Sequence, residues 1–315
     1  MLAYRVRAVI LFSLAVMTVT LSADQKVFLG RWTLVGTGDR PGAYWLDVTD
    51  DGGKLSAKFL NRGGHPLAME NVRVEGDELI FTTPKSGANQ TFSEFRGKVS
   101  GSKINATLKT GERSLNLSGG RPPTWPPSNA NGHHTFGTPV VLFESKSLDA
   151  FAGQRPDAPL NWSIEDGVMT NGEHANNLVS KEKFKDFKLN AEYKVGPGTN
   201  SGIYLRGRYE LQVLDDYGKP PFDRGHMAIY GWKAPPVNSS KPVGEWQTVE
   251  ATVVGNRVTV IHNGQTIHDN AVLEAITGGA LDIDEAAPGP IMIQGDHSKV
   301  WFRKIVVTPI TRAGT

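Results

Sequence analysis

The stretch that decides the fold is Asn200 to Gly218, NSGIYLRGRYELQVLDDYG. Apolar and polar residues alternate on both sides of Gly207, the two-residue period of half-buried strands, so the segment reads as an antiparallel hairpin. A three-residue loop of Gly207, Arg208 and Tyr209 pairs Arg206 with Glu210, Tyr204 with Gln212 and Gly202 with Leu214 on one side. Ile203 and Leu205 then oppose Val213 and Leu211 on the other. A two-residue loop would pair Leu205 with Glu210 and mix the faces, so the apolar side selects the first register. The polar side carries an arginine, a carboxylate, an amide and a phenol, which suit a polyhydroxylated ligand. A solvated cross-strand ion pair, contributing about 0.2 to 1 kcal/mol, explains Arg206 and Glu210 as simply.

The same period continues outward. In FKLNAEYKV, from Phe187 to Val195, the odd-numbered residues are apolar and the even-numbered ones polar. RVTVIH and QTIHD are joined by Asn263-Gly264, the dipeptide of a type I′ hairpin. Val272 to Ile276 is the best short helical candidate, and without crossover helices an α/β fold is excluded. Between residues 24 and 120, short alternating runs are separated by turns such as Asp51-Gly52-Gly53 and Gly63-Gly64. They predict a small antiparallel β-domain, closed or nearly so. Its Gly30-Arg31-Trp32 resembles the start of lipocalin-like barrels, which implies either ligand carriage or a structural accessory domain. Residues 121–138, which include RPPTWPPSNANGHH, are proline-rich and aperiodic and read as a linker. His133 and His134 within it are adjacent in an extended chain, so their side chains diverge and do not readily share a metal ion.

The chain opens with Arg5 and Arg7, an uncharged run from Ala8 to Leu21, and Ser22-Ala23. This is the pattern of a signal peptide over residues 1–23, implying a periplasmic or secreted product, and the run is too short for a transmembrane span. Its removal takes two basic residues from 34 and none from 32 acidic, leaving 32 of each. A neutral chain has no electrostatic grip on nucleic acid or anionic lipid. The absence of cysteine excludes disulfides and thiolate chemistry.

Asp296 and His297 fall in the turn of GPIMIQGDHSKVWFRKI, Gly289 to Ile305, where a rim histidine can act as acid or base near neutral pH. Five features recur in order: the run from Asn200 through Glu210, Gln212 and Asp215; Ile229-Tyr230; Gly244-Glu245-Trp246; Asn263-Gly264; and Gly289-Pro290-Ile291 through His297 to Phe302-Arg303. Together they resemble the 3-keto-disaccharide hydrolase domain family over residues 139 to 310. Trp246-Gln247 and Arg303-Lys304-Ile305 depart from its usual pattern without removing a candidate site residue.

The resemblance implies a concanavalin A-like jelly-roll sandwich and cleavage of glycosides already oxidised to a ketone at C3. Elimination across C1 and C2 followed by hydration gives a net hydrolysis. In that scheme Glu210 and His297 transfer protons. Arg206, with a divalent metal ion as an optional cofactor, stabilises the enolate, and Tyr204, Gln212, Asp215 and Tyr230 bind the sugar. A separate sugar 3-oxidoreductase would supply the substrate. Two rivals stand beside it: an ordinary glycoside hydrolase, which needs a second carboxylate that the Glu210 strand lacks, and a non-catalytic carbohydrate-binding module. The leader reading has a direct test: N-terminal sequencing of the exported protein should begin near Ala23 or Asp24, and an intact Met1 would refute it.

Overall fold

Residues 30–120 form one antiparallel sheet of nine strands. Their order is Leu67–Ala68, Leu55–Leu60, Gly42–Asp50, Gly30–Thr37, Arg113–Gly120, Lys103–Thr110, Glu94–Ser100, Glu78–Thr82 and Glu70–Glu75. The two edge strands are neighbours in the chain, and Met69 N between them donates to Ala57 O at 2.8 Å, so the sheet curls into a nearly closed barrel. The computed structural model describes residues 21–38, 41–87 and 90–314. The leader reading lies largely outside that range. Inside the barrel, alternation sends Tyr44, Leu46 and Val48 inward to meet Phe59, Phe81 and Phe95. The Phe81 and Phe95 rings stack at 4.4 Å. Arg121 lies over Trp32, 3.4 Å from the ring centroid.

The C-terminal region is a sandwich of two antiparallel sheets. The larger runs Trp162–Glu165, Val168–Asn171, Val300–Arg312, Phe187–Val195, Trp246–Val254, Arg257–His262 and Gln265–Val272. Thr135–Phe136 and Val140–Phe143 also pair with Val300–Arg312. The smaller runs Phe151–Gly153, Leu178–Phe184, Gly289–Ile293, Asn200–Leu205 and Tyr209–Leu214. Every odd-numbered residue of Phe187–Val195 is buried and every even one half-buried, as alternation requires. Asn263 and Gly264 have φ of 50° and 81°, the two left-handed positions of the tight turn between His262 and Gln265.

Val272 to Ile276 is not helical. Val272 ends a strand, and Ala275 and Ile276 leave it as irregular chain that packs against the outside of the barrel. Burial there overrides any local helical preference. Among the described residues the only helix is the four-residue Ala23–Lys26, and none is long and apolar enough to cross a membrane. Among the described residues no strand pairing joins the two regions. A small apolar cluster does: Ala43, Trp45 and Leu60 of the barrel meet Ala275, Ile276 and Ala280. The Trp45 and Trp232 rings meet edge to face at 4.8 Å.

Trp45 points away from the barrel core, so Trp45→Ala should act on the joint. The expected loss in urea denaturation is about 3 to 5 kcal/mol, the usual cost of truncating a buried tryptophan. A loss near zero would show that the joint is not packed.

Candidate active site

The hairpin determines which side chains reach the cleft. Gly202 pairs with Gln212, Ile203 with Leu211, Tyr204 with Glu210 and Leu205 with Tyr209. The loop is therefore Arg206 to Arg208, centred one residue earlier than the sequence reading placed it. Arg206 and Gly207 take left-handed φ of 54° and 66°, and Arg208 N donates to Leu205 O at 3.1 Å. This corrects the expected partners by two residues but keeps the parity, so the faces are unchanged. Ile203, Leu205, Leu211 and Val213 lie between the sheets. Tyr204, Glu210 and Gln212 point outward into a cleft of about 750 Å³.

Glu210 is 4 % exposed. A Cβ on Gly202 would collide with its Oε1, so the glycine makes room for the carboxyl. Burial pushes this carboxyl up to about 8; a hydrogen bond with Tyr204 opposes the shift and the nearby Asp296 charge adds to it. The Tyr204 hydroxyl donates to Gly278 O at 2.9 Å. While its one proton is committed there, its oxygen can only accept, which suits a protonated Glu210; if Glu210 ionises, the phenol can turn to the carboxylate instead. Tyr230 is set beside Glu210 because the edge strand is covered by the segment that follows. Its backbone N donates to Glu210 O at 3.0 Å. Burial and the Glu210 charge raise its phenol.

His297 reaches the same cleft from the turn between Gly289–Ile293 and Val300–Arg312. Its Nδ1 is 2.8 Å from Asp296 Oδ1. That hydrogen bond raises the imidazole and lowers the Asp296 carboxyl. With Nδ1–H donated to the carboxylate, Nε2 carries the lone pair. The turn is held by Asn177, whose Oδ1 accepts from Gly295 N at 2.8 Å and Asp296 N at 3.3 Å, while its Nδ2 donates to Gln154 Oε1 at 2.7 Å.

Two expected residues are elsewhere. Arg206 sits in the turn, 1 % exposed, with Nε donating to Lys185 O at 2.5 Å and Nη2 to Asp186 Oδ1 at 3.1 Å. Its guanidinium lies over Trp125, 5.8 Å from the ring centroid. It does not line the cleft with Glu210, because the shorter reach of the strand puts it in the loop. Asp215 lies beyond the strand end, where its Oδ2 accepts from Gly198 N at 2.9 Å, and it is not a cleft residue either.

Conversely, the cleft includes Gln154, Asn177 and Gln294, which the sequence reading did not single out, and Asn61 and Arg62 from the barrel. Gln294 Oε1 is buried without a hydrogen-bond partner among the described residues. Among the described residues no group of three or more His, Cys, Asp or Glu is arranged to hold a metal ion. The divalent cation allowed for in the sequence reading therefore has no evident ligand set. A second cavity, of about 800 Å³, opens at the barrel and shares Tyr44, Asn61, Gly63 and Gly64 with the cleft, but no carboxylate is among the described residues that line it.

A family model described as the 3-keto-alpha-glucoside-1,2-lyase-like domain matches residues 138–308. A relative named 3-keto-disaccharide hydrolase, from Bacteroides thetaiotaomicron, is 28% identical over 184 residues. The match covers 47% of this chain and 60% of the relative, so the chain spans less than two thirds of that protein's length. The crystal structure of a candidate glycosyl hydrolase from Parabacteroides distasonis is similar at TM-score 0.50 and 27% identity, covering 60% of this chain and 92% of that one. A second from the same organism gives 0.44 and 24%, covering 55% and 100%.

The buried carboxyl makes stability depend on pH with a definite sign. Glu210 has a pKa of about 8 when folded against 4.5 for the free group. The folded protein keeps a proton that the unfolded chain releases, so stability falls as pH rises from about 4.5 to about 8. Glu210→Gln should therefore raise Tm by several degrees at pH 8.5 and by little at pH 5, measured by calorimetry. An equal change at both values would show that the carboxyl is not held neutral.

Proposed function

Because this chain belongs to the 3-keto-alpha-glucoside-1,2-lyase-like domain family through residues 138–308, we propose that it cleaves glycosides carrying a ketone at C3. The observation that carries this reading is a carboxyl held neutral, Glu210, sharing one cleft with a histidine backed by a carboxylate, His297 with Asp296. Elimination requires that pair: a base for the hydrogen on C2, acidified by the C3 ketone, and an acid for the departing oxygen on C1.

His297 Nε2 takes the C2 proton, and electrons move into the C2–C3 bond and onto the ketone oxygen. The enolate collapses to a C1–C2 double bond as the C1–O bond breaks, and Glu210 gives its proton to the leaving oxygen. Water then adds to C1 as Glu210 takes one of its protons, the other staying in the new C1 hydroxyl, and His297 returns to C2 the proton it had removed. The product is the free 3-keto sugar, and both residues regain their starting states. Amide groups of Gln212 and Gln294 and the Tyr230 phenol hold the hydroxyls and the developing negative charge. The steps use side chains alone. Arg206 is kept out of them by its buried contacts with Lys185 and Asp186. An upstream sugar 3-oxidoreductase would supply the ketone, and the leader reading would place both steps outside the cytoplasm.

A second reading keeps the same residues. Asp296 is the second carboxylate that the Glu210 strand lacks, and the two are pushed in opposite directions, the pattern of an ordinary glycoside hydrolase. Its first role here is as partner of His297, which favours the elimination.

Methyl and 4-nitrophenyl 3-keto-glucosides, each beside its unoxidised parent, separate these readings. The keto forms should be cleaved and the parents left intact. Glu210→Gln should slow the methyl glycoside by about 10² to 10⁴. The 4-nitrophenyl glycoside should lose far less, since its phenolate leaves without a proton. Equal losses would remove Glu210 from that role, and preferential cleavage of the parents would establish the ordinary hydrolase.

A further inference from the structure

We propose that Arg62, carried by the N-terminal barrel, binds the leaving-group side of the glycoside, so that the barrel forms one wall of the active site. The proposal rests on the function proposed above and assigns a role to residues outside the family match.

The cleft has two walls of different origin. The proton-transfer residues and the amides of Gln154, Asn177, Gln212 and Gln294 all come from the sandwich, which is enough to surround the keto sugar. The barrel adds to the lining, with Pro41, Gly42, Asn61 and Arg62 among its residues there. Arg62 is the only arginine or lysine among the described residues of the cleft. No ion pair to a described carboxylate occupies it, whereas Arg31, also on the barrel, is taken by Glu274 at 2.9 Å. Its side chain lies flat on Gly42, where an added Cβ would come within 2.8 Å of Cγ and 3.4 Å of Nε. Any larger residue at position 42 would displace it.

The loop that bears Arg62 is fixed relative to the chemistry. Arg62 O accepts from Gly279 N at 2.8 Å, and a Cβ on Gly278 would collide with Gly64 O. Gly278 O in turn accepts the Tyr204 hydroxyl, beside Glu210. One short chain of contacts thus joins the barrel loop to the acid. A planar guanidinium with five N–H donors suits the neighbouring hydroxyls of a second sugar, the leaving group of a disaccharide.

The test compares a 3-keto disaccharide with a methyl 3-keto-glucoside, whose leaving group is too small to reach the barrel wall. Arg62→Ala should lower kcat/KM for the disaccharide at least 10-fold more than for the methyl glycoside, and mainly through KM; Arg62→Lys should fall between. Equal losses on both substrates, or none, would overturn the proposal. If the parent enzyme cleaves neither keto substrate, the functional reading fails separately. Calorimetric titration with the unoxidised disaccharide then still decides Arg62: weaker binding by Arg62→Ala supports it, and unchanged binding overturns it.

Discussion

In the hairpin of Asn200–Leu205 and Tyr209–Leu214, Ile203, Leu205, Leu211 and Val213 are buried between two sheets, and strand geometry sends their even-numbered neighbours the other way. Each buried aliphatic side chain contributes about 1.5 to 3 kcal/mol. Four of them outweigh the few kcal/mol needed to keep the Glu210 carboxyl out of water. The acid is held in an unfavourable place because the opposite face of the same strands is strongly favourable. Gly202 completes the arrangement by leaving space where a side chain would displace the carboxyl.

The sandwich core treats a pair of buried histidines differently. Tyr193 OH stands 2.6 Å from His226 Nε2 and 2.9 Å from His262 Nε2. His226 Nδ1 lies 2.8 Å from Leu214 O, and His262 Nδ1 lies 2.7 Å from Ser239 Oγ. The protons can run from Ser239 toward Leu214 with each imidazole neutral and each group satisfied. Burial lowers His226 to about 4 and His262 to about 2, so this network favours folding above the ordinary histidine range and loses stability as pH falls below about 6.5. Glu210, raised rather than lowered, works in the other direction. What separates them is access: the network is buried and bonded internally, while Glu210 lines a cleft.

The faces of the hairpin were legible from its alternation, and they survived the wrong loop because moving the partners by two residues preserves parity. The position of Arg206 was not legible. One residue separates a strand position facing Glu210 from a turn position facing Lys185 and Asp186, and Trp125 of the proline-rich stretch lies under its guanidinium. His297 could be placed on a rim from its turn, and it does share the cleft with Glu210. Asn177 and Gln154 carry no such signal; they matter because a distant strand runs beside the Asp296 turn. Gly202 did carry one, since a glycine within a strand marks a close approach.

The barrel was read as a separate unit because a proline-rich stretch precedes the sandwich, but such a stretch need not be loose. Arg121 at its start is tied to Trp32 and to Leu29 O, and Ala130 N donates to Asn270 Oδ1 at 2.9 Å. Prolines between these anchors reduce the freedom that would be lost on docking. The contacts that set the cleft lie elsewhere, in the Trp45–Trp232 pair and the close approach of Gly64 to Gly278. The second puts barrel backbone beside the loop that receives the Tyr204 hydroxyl. A displacement of the barrel would therefore act on the hydrogen-bond partner of Glu210 as well as on the cleft wall. The two regions have separate sheets and line one cleft together, and it is the small apolar joint, rather than the linker, that packs barrel against sandwich.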